Sequence, residues 1–206
     1  MNSKLLVKLD KILLATRNRD KIKEIADALN NLNINIVSAF DVDVPEVDED
    51  QETLEGNALK KARELALATG LPALADDTGL EVEALNGAPG VYSSRYAGAG
   101  ASYDDNVNKL LTELEGVPPS RRQARFRTVM AFVYNDTEHL AQGECQGLIT
   151  ETKRGEQGFG YDPVFLVPEQ DKTFAEMTLA EKNNISHRGR ALAKMVEYLR
   201  GVAQPG

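Results

Sequence analysis

The sequence predicts an α/β fold built on a long mixed sheet with flanking helices. Three observations carry this. Helical and strand-like segments alternate in the first half of the chain. Strand-like segments cluster in the middle. No internal repeat and no Gly-, Pro- or Ser-rich linker divides the 206 residues, so 1–206 is expected to be a single domain. The composition, 42% hydrophobic and 27% charged, excludes disorder, and a chain of this length buries roughly two-thirds or more of its unfolded surface.

The elements follow in order. Lys11–Ala15 is a short apolar run that reads as a buried strand. The polar turn Thr16–Lys21 leads into a helix whose apolar face is Ile22, Ile25, Ala26 and Leu29. Ile34–Val37 reads as a second strand. Leu54–Thr69 consists of good helix formers closed by Gly70 as a C-cap. Leu71–Ala75 is a strand expected to end at Asp76-Asp77-Thr78-Gly79, and Leu80–Leu85 alternates like a half-buried strand. Asn86–Gly90 is a loop, about Tyr103–Leu114 a helix, and the break Gly116–Ser120 a candidate hinge between lobes. Ala124–Tyr134 and Leu140–Thr150 read as an antiparallel pair. A glycine-rich loop, Gly155–Asp162, precedes a strand at Pro163–Val167. Thr178-Leu179-Ala180-Glu181 is a capping box for a short helix. Ser186 caps the last helix, with Leu192, Met195 and Leu199 inward.

Charge is unevenly distributed. Asp41–Glu55 holds eight acids and no Lys or Arg, whereas the rest of the chain balances 24 of each, so the net charge of −8 comes from one stretch. The balance implies no nucleic-acid-binding face. No apolar run approaches the ~18 residues of a membrane helix, and charges break the first ten residues too often for a signal-peptide core. One cysteine, Cys145, allows no intrachain disulfide and fits a reducing, cytoplasmic compartment.

Five constellations carry candidate chemistry. Thr16-x-Asn18-x-x-Lys21, after a strand and at a helix start, suits an anion, or is an ordinary capped helix with a surface lysine. The acidic stretch precedes Asn57-x-x-x-Lys61, one helical turn apart; an acid such as Glu49 can hold Mg²⁺, or the stretch is a solvated loop. Asp76-Asp77 are adjacent carboxylates that repel unless a cation or proton neutralises one, or they form a turn completed by Gly79. Gly158-Phe159-Gly160-Tyr161-Asp162 offers rings on which a base can stack, or aromatics that fold into the core. Ser186-His187-Arg188-Gly189, with Lys182 upstream, offers donors to carbonyl or phosphate oxygens, or surface pairing. Two histidines do not make an H-E-x-x-H zinc site, and neither a Walker loop nor a G-x-S-x-G elbow occurs.

In this order the segments resemble the inosine triphosphate pyrophosphatase family. The landmarks are Thr16–Lys21, Asn57–Ala62, Ala75–Leu80, Gly87–Tyr96, Gly158–Pro163 and Ser186–Gly189, and the likeness runs from Ile12 to about Leu199. The resemblance implies two lobes around a nucleotide cleft, a homodimer, and Mg²⁺-dependent cleavage of the purine nucleoside triphosphates ITP, dITP and XTP to the monophosphate and pyrophosphate. It implies that the Thr16-Arg17-Asn18-Arg19-Asp20-Lys21 segment and Lys61 hold the triphosphate and that Thr78 touches substrate. Glu49 and Asp77 become the metal-linked acids, Asp77 the base for water. Phe159, Gly160, Tyr161, Asp162, Lys182, His187 and Arg188 become the base pocket. Arg17 and Gly56 depart from the commonest pattern; the latter loosens the register of the acidic loop and leaves Asp48 as the alternative to Glu49. A Maf-type pyrophosphatase shares a similar architecture, although the Gly-Phe-Gly-Tyr-Asp and Ser-His-Arg loops argue against it. A non-catalytic nucleotide- or RNA-binding module would keep the pocket without the metal.

Overall fold

A computed structural model describes residues 9–202, so most of the opening decapeptide lies outside the described residues. The elements are β1 (Lys11–Leu14), α1 (Arg19–Leu29), β2 (Asn35–Ser38), α2 (Leu54–Thr69), β3 (Ala73–Val82), β4 (Pro89–Gly90), α3 (Tyr103–Glu113), β5 (Gln123–Tyr134), β6 (Thr137–Ile149), β7 (Phe165–Val167), β8 (Lys172–Thr173), α4 (Leu179–Ile185) and α5 (His187–Val202). The strand order is β2-β1-β3-β5-β6-β7-β8, with β4 on β3. β1 runs parallel to β2 and β3, whereas β3/β4, β6/β7 and β7/β8 are antiparallel, so the sheet is mixed as expected. β5 and β6 are neighbours joined by two residues, a link only an antiparallel pair permits. No helix among the described residues is long and apolar enough to cross a membrane.

The chain forms two compact units. The first draws on the chain up to Asp77, Val129–Gln142 and the chain from Ala191 on; the second on Thr78–Thr128 and Gly143–Arg190. In the first, Ile12 and Leu14 of β1, Ile25 and Leu29 of α1, Met130 and Phe132 of β5 and Leu192, Met195 and Leu199 of α5 share one core. The i, i+3, i+7 spacing of those last three puts them on one helix face. In the second, Leu80, Val107, Leu110, Phe126, Cys145, Phe165 and Phe174 form a separate core.

Four sequence expectations are corrected. Asp76–Gly79 is not a strand end or a turn: β3 continues through it to Val82, because both carboxylates meet lysines and Gly79 is extended. Glu83–Leu85 is a 3₁₀ turn rather than strand. Gly116–Ser120 does not separate the units; it lies inside the second, where buried Arg122 donates to the carbonyls of Leu114 and Val117, each at 2.9 Å. The β7 strand is also shorter than expected, since Asp162–Val164 forms a 3₁₀ turn before it. The capping box at Thr178 and the hydroxyl cap of Ser186 on Gly189 N–H (3.1 Å) are both present.

Candidate active-site residues

In the first unit the turn after β1 is organised by its own side chains. Asn18 Oδ1 accepts from the N–H groups of Asp20 (3.0 Å) and Lys21 (3.2 Å), capping α1. Thr16 Oγ1 accepts from Asn18 N–H at 3.2 Å. This leaves Lys21 on the first turn of α1, where its ammonium meets Asp76 at 3.0 Å. Arg17, Arg19 and Asp20 do not join that cluster. Arg17 donates to Val44 O (2.9 Å) and stands 3.9 Å from Glu46; Arg19 lies over the Phe40 ring; Asp20 is exposed.

Asn57 and Lys61 are both buried on one face of α2. Asn57 accepts from Gln51 N–H (2.9 Å) and donates to Asp77 Oδ2 (3.2 Å), tying the acidic stretch to β3. Gly56 permits that approach, since a Cβ there would lie 2.9 Å from Gln51 Cβ. The register that results brings Glu49 to Lys61, whose Nζ donates to Glu49 Oε1 (2.6 Å), Asp76 O (2.7 Å) and Asp77 Oδ1 (3.2 Å). Most of the other acids are solvated, with Asp41, Asp43, Glu46, Asp48, Asp50 and Glu52 exposed; Asp50 pairs with Lys60 and Asp41 accepts from Ser38 at that surface.

The electrostatics follow from burial and pairing. Burial alone would lower the Lys61 ammonium, but Asp77, Glu49 and Asp76 outweigh it and hold the pKa above its ordinary value. Burial raises the Asp77 carboxyl above the usual range, with Lys61 opposing and Glu49 reinforcing. Glu49 and Asp77 thus aim hard oxygens at a place that already holds a positive charge, a donor set that suits Mg²⁺. Among the described residues no cluster of three or more metal-binding side chains forms, so further ligands would have to come from phosphate and water, as is usual for that ion.

The second unit is different in kind. Asp162 Oδ2 accepts from Lys182 Nζ (2.7 Å) and Phe159 N–H (2.9 Å), with both charged side chains buried. Gly158 has φ +75°, and a Cβ would strike Asp162 Oδ2 at 2.1 Å, so only glycine suits this turn. The half-buried Phe159 ring has Lys182 Nζ at 4.9 Å and Arg188 Cζ at 5.4 Å. His187 stacks on Phe126 with centroids 4.4 Å apart. Arg188 donates to Thr78 Oγ1 at 3.2 Å. Tyr161 does not line this cluster: it is buried in the core and its hydroxyl donates to Ser93 O. Gly160 supplies a second left-handed position in the loop.

Sequence reasoning passed over four residues. Asn57 stood out by spacing but received no site role, and Asp76 was subordinated to Asp77. Phe126 and Thr128, interior to β5, carry no motif and are found only through the strand that places them.

The Ham1 family model matches residues 12–198. A dITP/XTP pyrophosphatase of Desulforamulus reducens is 51% identical over 191 residues, 92% of this chain and 95% of that protein. One of Geobacter sulfurreducens is 50% identical over 191 residues, 92% of this chain and 96% of that protein. A solved Ham1 protein from Coxiella burnetii superposes with a TM-score of 0.86 at 43% identity, covering 93% of this chain and 98% of that one. The match spans both units and all six landmark segments, and this chain belongs to the Ham1 family.

Proposed function

We propose that this chain hydrolyses ITP, dITP and XTP to the nucleoside monophosphate and pyrophosphate, removing non-canonical purines from the nucleotide pool. The observation that carries the reading is the buried Lys61–Asp77 pair, joined by half-buried Glu49, beside the Lys21–Asp76 pair. Buried ion pairs contribute little net stability, so such a cluster is better explained by chemistry than by folding. The names of the relatives support the same substrate class.

In this reading Lys21 and Lys61, with Thr16 and Asn18 at the helix start, pass from carboxylate to phosphate oxygens when the triphosphate arrives. Asp77 takes a proton from a water whose oxygen attacks the α-phosphorus. The bond from that phosphorus to the α–β bridging oxygen breaks, and pyrophosphate leaves. A proton affinity raised by burial suits Asp77 to this role, with Lys61 opposing the rise. Mg²⁺, held by Glu49 and Asp77, would supply positive charge to the phosphate oxygens.

Recognition of the base falls to the second unit. Phe159 stacks on the purine, worth about 1–3 kcal/mol. Arg188, Lys182 and His187 donate to a 6-keto oxygen, and Asp162 accepts from N1–H. Adenine leaves those donors unpaired at about 1–3 kcal/mol each. We read the chain as one domain, 1–206, acting as a cytoplasmic homodimer.

The deciding experiment is pyrophosphate release from ITP, XTP and ATP with Mg²⁺ and with EDTA. The reading expects pyrophosphate from ITP and XTP, little from ATP, and none in EDTA. No pyrophosphate, or orthophosphate alone, overturns it. Light scattering should give twice the 22.6 kDa chain mass.

A further inference from the structure

We infer that Arg17 is a positioning residue for the divalent cation, fastening the acidic stretch so that Glu49 is already in place when the cation arrives. The inference rests on the function proposed above. Residues 39–53 hold no helix or strand, and Glu49 lies among them. Ordering such a segment costs conformational entropy, and any part of that cost left until the cation arrives weakens its binding. Two hydrogen bonds hold the segment on either side of Glu49. After it, Gln51 N–H donates to the buried Asn57 side chain at 2.9 Å. Before it, Arg17 Nη2 donates to the carbonyl of buried Val44 at 2.9 Å. That second bond ties the stretch to the turn after β1, which Thr16 and Asn18 organise.

A carbonyl that loses its donor must find water, which favours lifting the segment away from the turn. Arg17 also stands 3.9 Å from Glu46, but those side chains are 47% and 84% exposed, and such a pair contributes little. The hydrogen bond to Val44 is therefore the fastening. This role differs from the phosphate contact that the resemblance implies for Arg17, and the sign of one effect separates them. By charge alone, removing a guanidinium beside the acidic stretch lowers the repulsion met by an incoming cation and tightens its binding. Removing a fastening loosens Glu49 and weakens it. A phosphate contact, when lost, weakens ITP and leaves the cation no weaker.

The test titrates Mn²⁺, a spectroscopic stand-in for Mg²⁺, into nucleotide-free wild type, Arg17→Met and Glu46→Gln, following the free ion by electron paramagnetic resonance. Arg17→Met is expected to bind Mn²⁺ about fivefold more weakly, and Glu46→Gln to stay within about twofold of wild type. A glutamate-specific protease should cut the acidic stretch of Arg17→Met about threefold faster than that of wild type, or more. Mn²⁺ binding that is unchanged or tighter in Arg17→Met overturns the role, as does equal weakening in Glu46→Gln or unchanged cleavage. A KM for ITP that rises at saturating Mg²⁺ while Mn²⁺ binding holds assigns Arg17 to phosphate instead. Should Arg17→Met not fold, Arg17→Ala is held to the same values. A wild type that binds no Mn²⁺ overturns the metal reading and this one together; a wild type that binds it beside an indifferent Arg17→Met overturns only this one.

Discussion

The two units hold their charges in opposite ways. In the first, two lysines meet three acids, and Lys61 alone touches Glu49, Asp77 and the Asp76 carbonyl. In the second, one buried ion pair, Lys182–Asp162, is set among rings: Phe159 and Phe174 near the ammonium, Phe126 against His187. The first arrangement sets lysines directly against carboxylates, so an incoming anion competes for the lysines and an incoming cation for the acids. The second presents a flat apolar surface edged by directional donors. Charge exchange suits a polyphosphate, whereas planes and directed hydrogen bonds suit a heterocycle. In the function proposed above this difference corresponds to chemistry in the first unit and recognition in the second, and the first two variants below should affect one and spare the other.

The largest effect is expected at Asp77. Asp77→Asn should lower turnover about 10²–10⁴-fold on every nucleotide tested, with unchanged circular dichroism and ITP binding partly retained. Near-wild-type rates would remove Asp77 from the mechanism. Arg188→Ala is the counterpart in the second unit, with about a tenfold loss on ITP relative to ATP. An equal loss on both would assign Arg188 to phosphate and erase the division of labour.

A stability change comes next. Lys61→Met leaves Glu49 and Asp77 without their shared cation and should cost about 3–5 kcal/mol, read by urea denaturation. Added Mg²⁺ should return part of that loss if the carboxylates accept it. A midpoint indifferent to the substitution would show that the cluster carries no such dependence.

The smallest effect concerns Cys145, the one thiol in the chain and part of the second core. Burial pushes it up to about 11, with Arg190 opposing slightly. It should resist a thiol reagent at pH 8 while folded and react as urea opens the second unit. An unfolded thiol loses its proton near pH 8.5–9 while the folded one retains it to about 11. Stability should therefore fall as pH rises through that window. Cys145→Ala should remove this part of the slope.

Much of the architecture was legible locally. The runs Lys11–Leu14 and Ala124–Tyr134, the apolar stripe of α5, and the caps at Asn18, Gly70 and Thr178 depend on short-range periodicity and turn chemistry. The misreading of Asp76–Gly79 has a clear cause. Two acids and a glycine form a turn when solvent neutralises the acids, but Lys21 and Lys61, 55 and 16 positions away from Asp76 and Asp77 respectively, let the strand continue. Phe159 and Tyr161 stand two apart in one loop, yet the first faces cations and the second enters the core. Composition could not separate them, because left-handed glycines at 158 and 160 reset the direction of the chain between them.

By itself the sequence determined the fold class, most elements and the six ordered landmarks, because periodicity, capping and turn residues act within a few positions. It also located the whole net charge in Asp41–Glu55. Only tertiary structure decided that Glu49 rather than Asp48 reaches Lys61, that Arg17 and Arg19 brace the acidic stretch, and that Thr128 lies behind Thr78 in a chain of hydrogen bonds. These are contacts between residues 12 to 50 positions apart, set by which strand and helix faces pack together, and no local pattern encodes that packing.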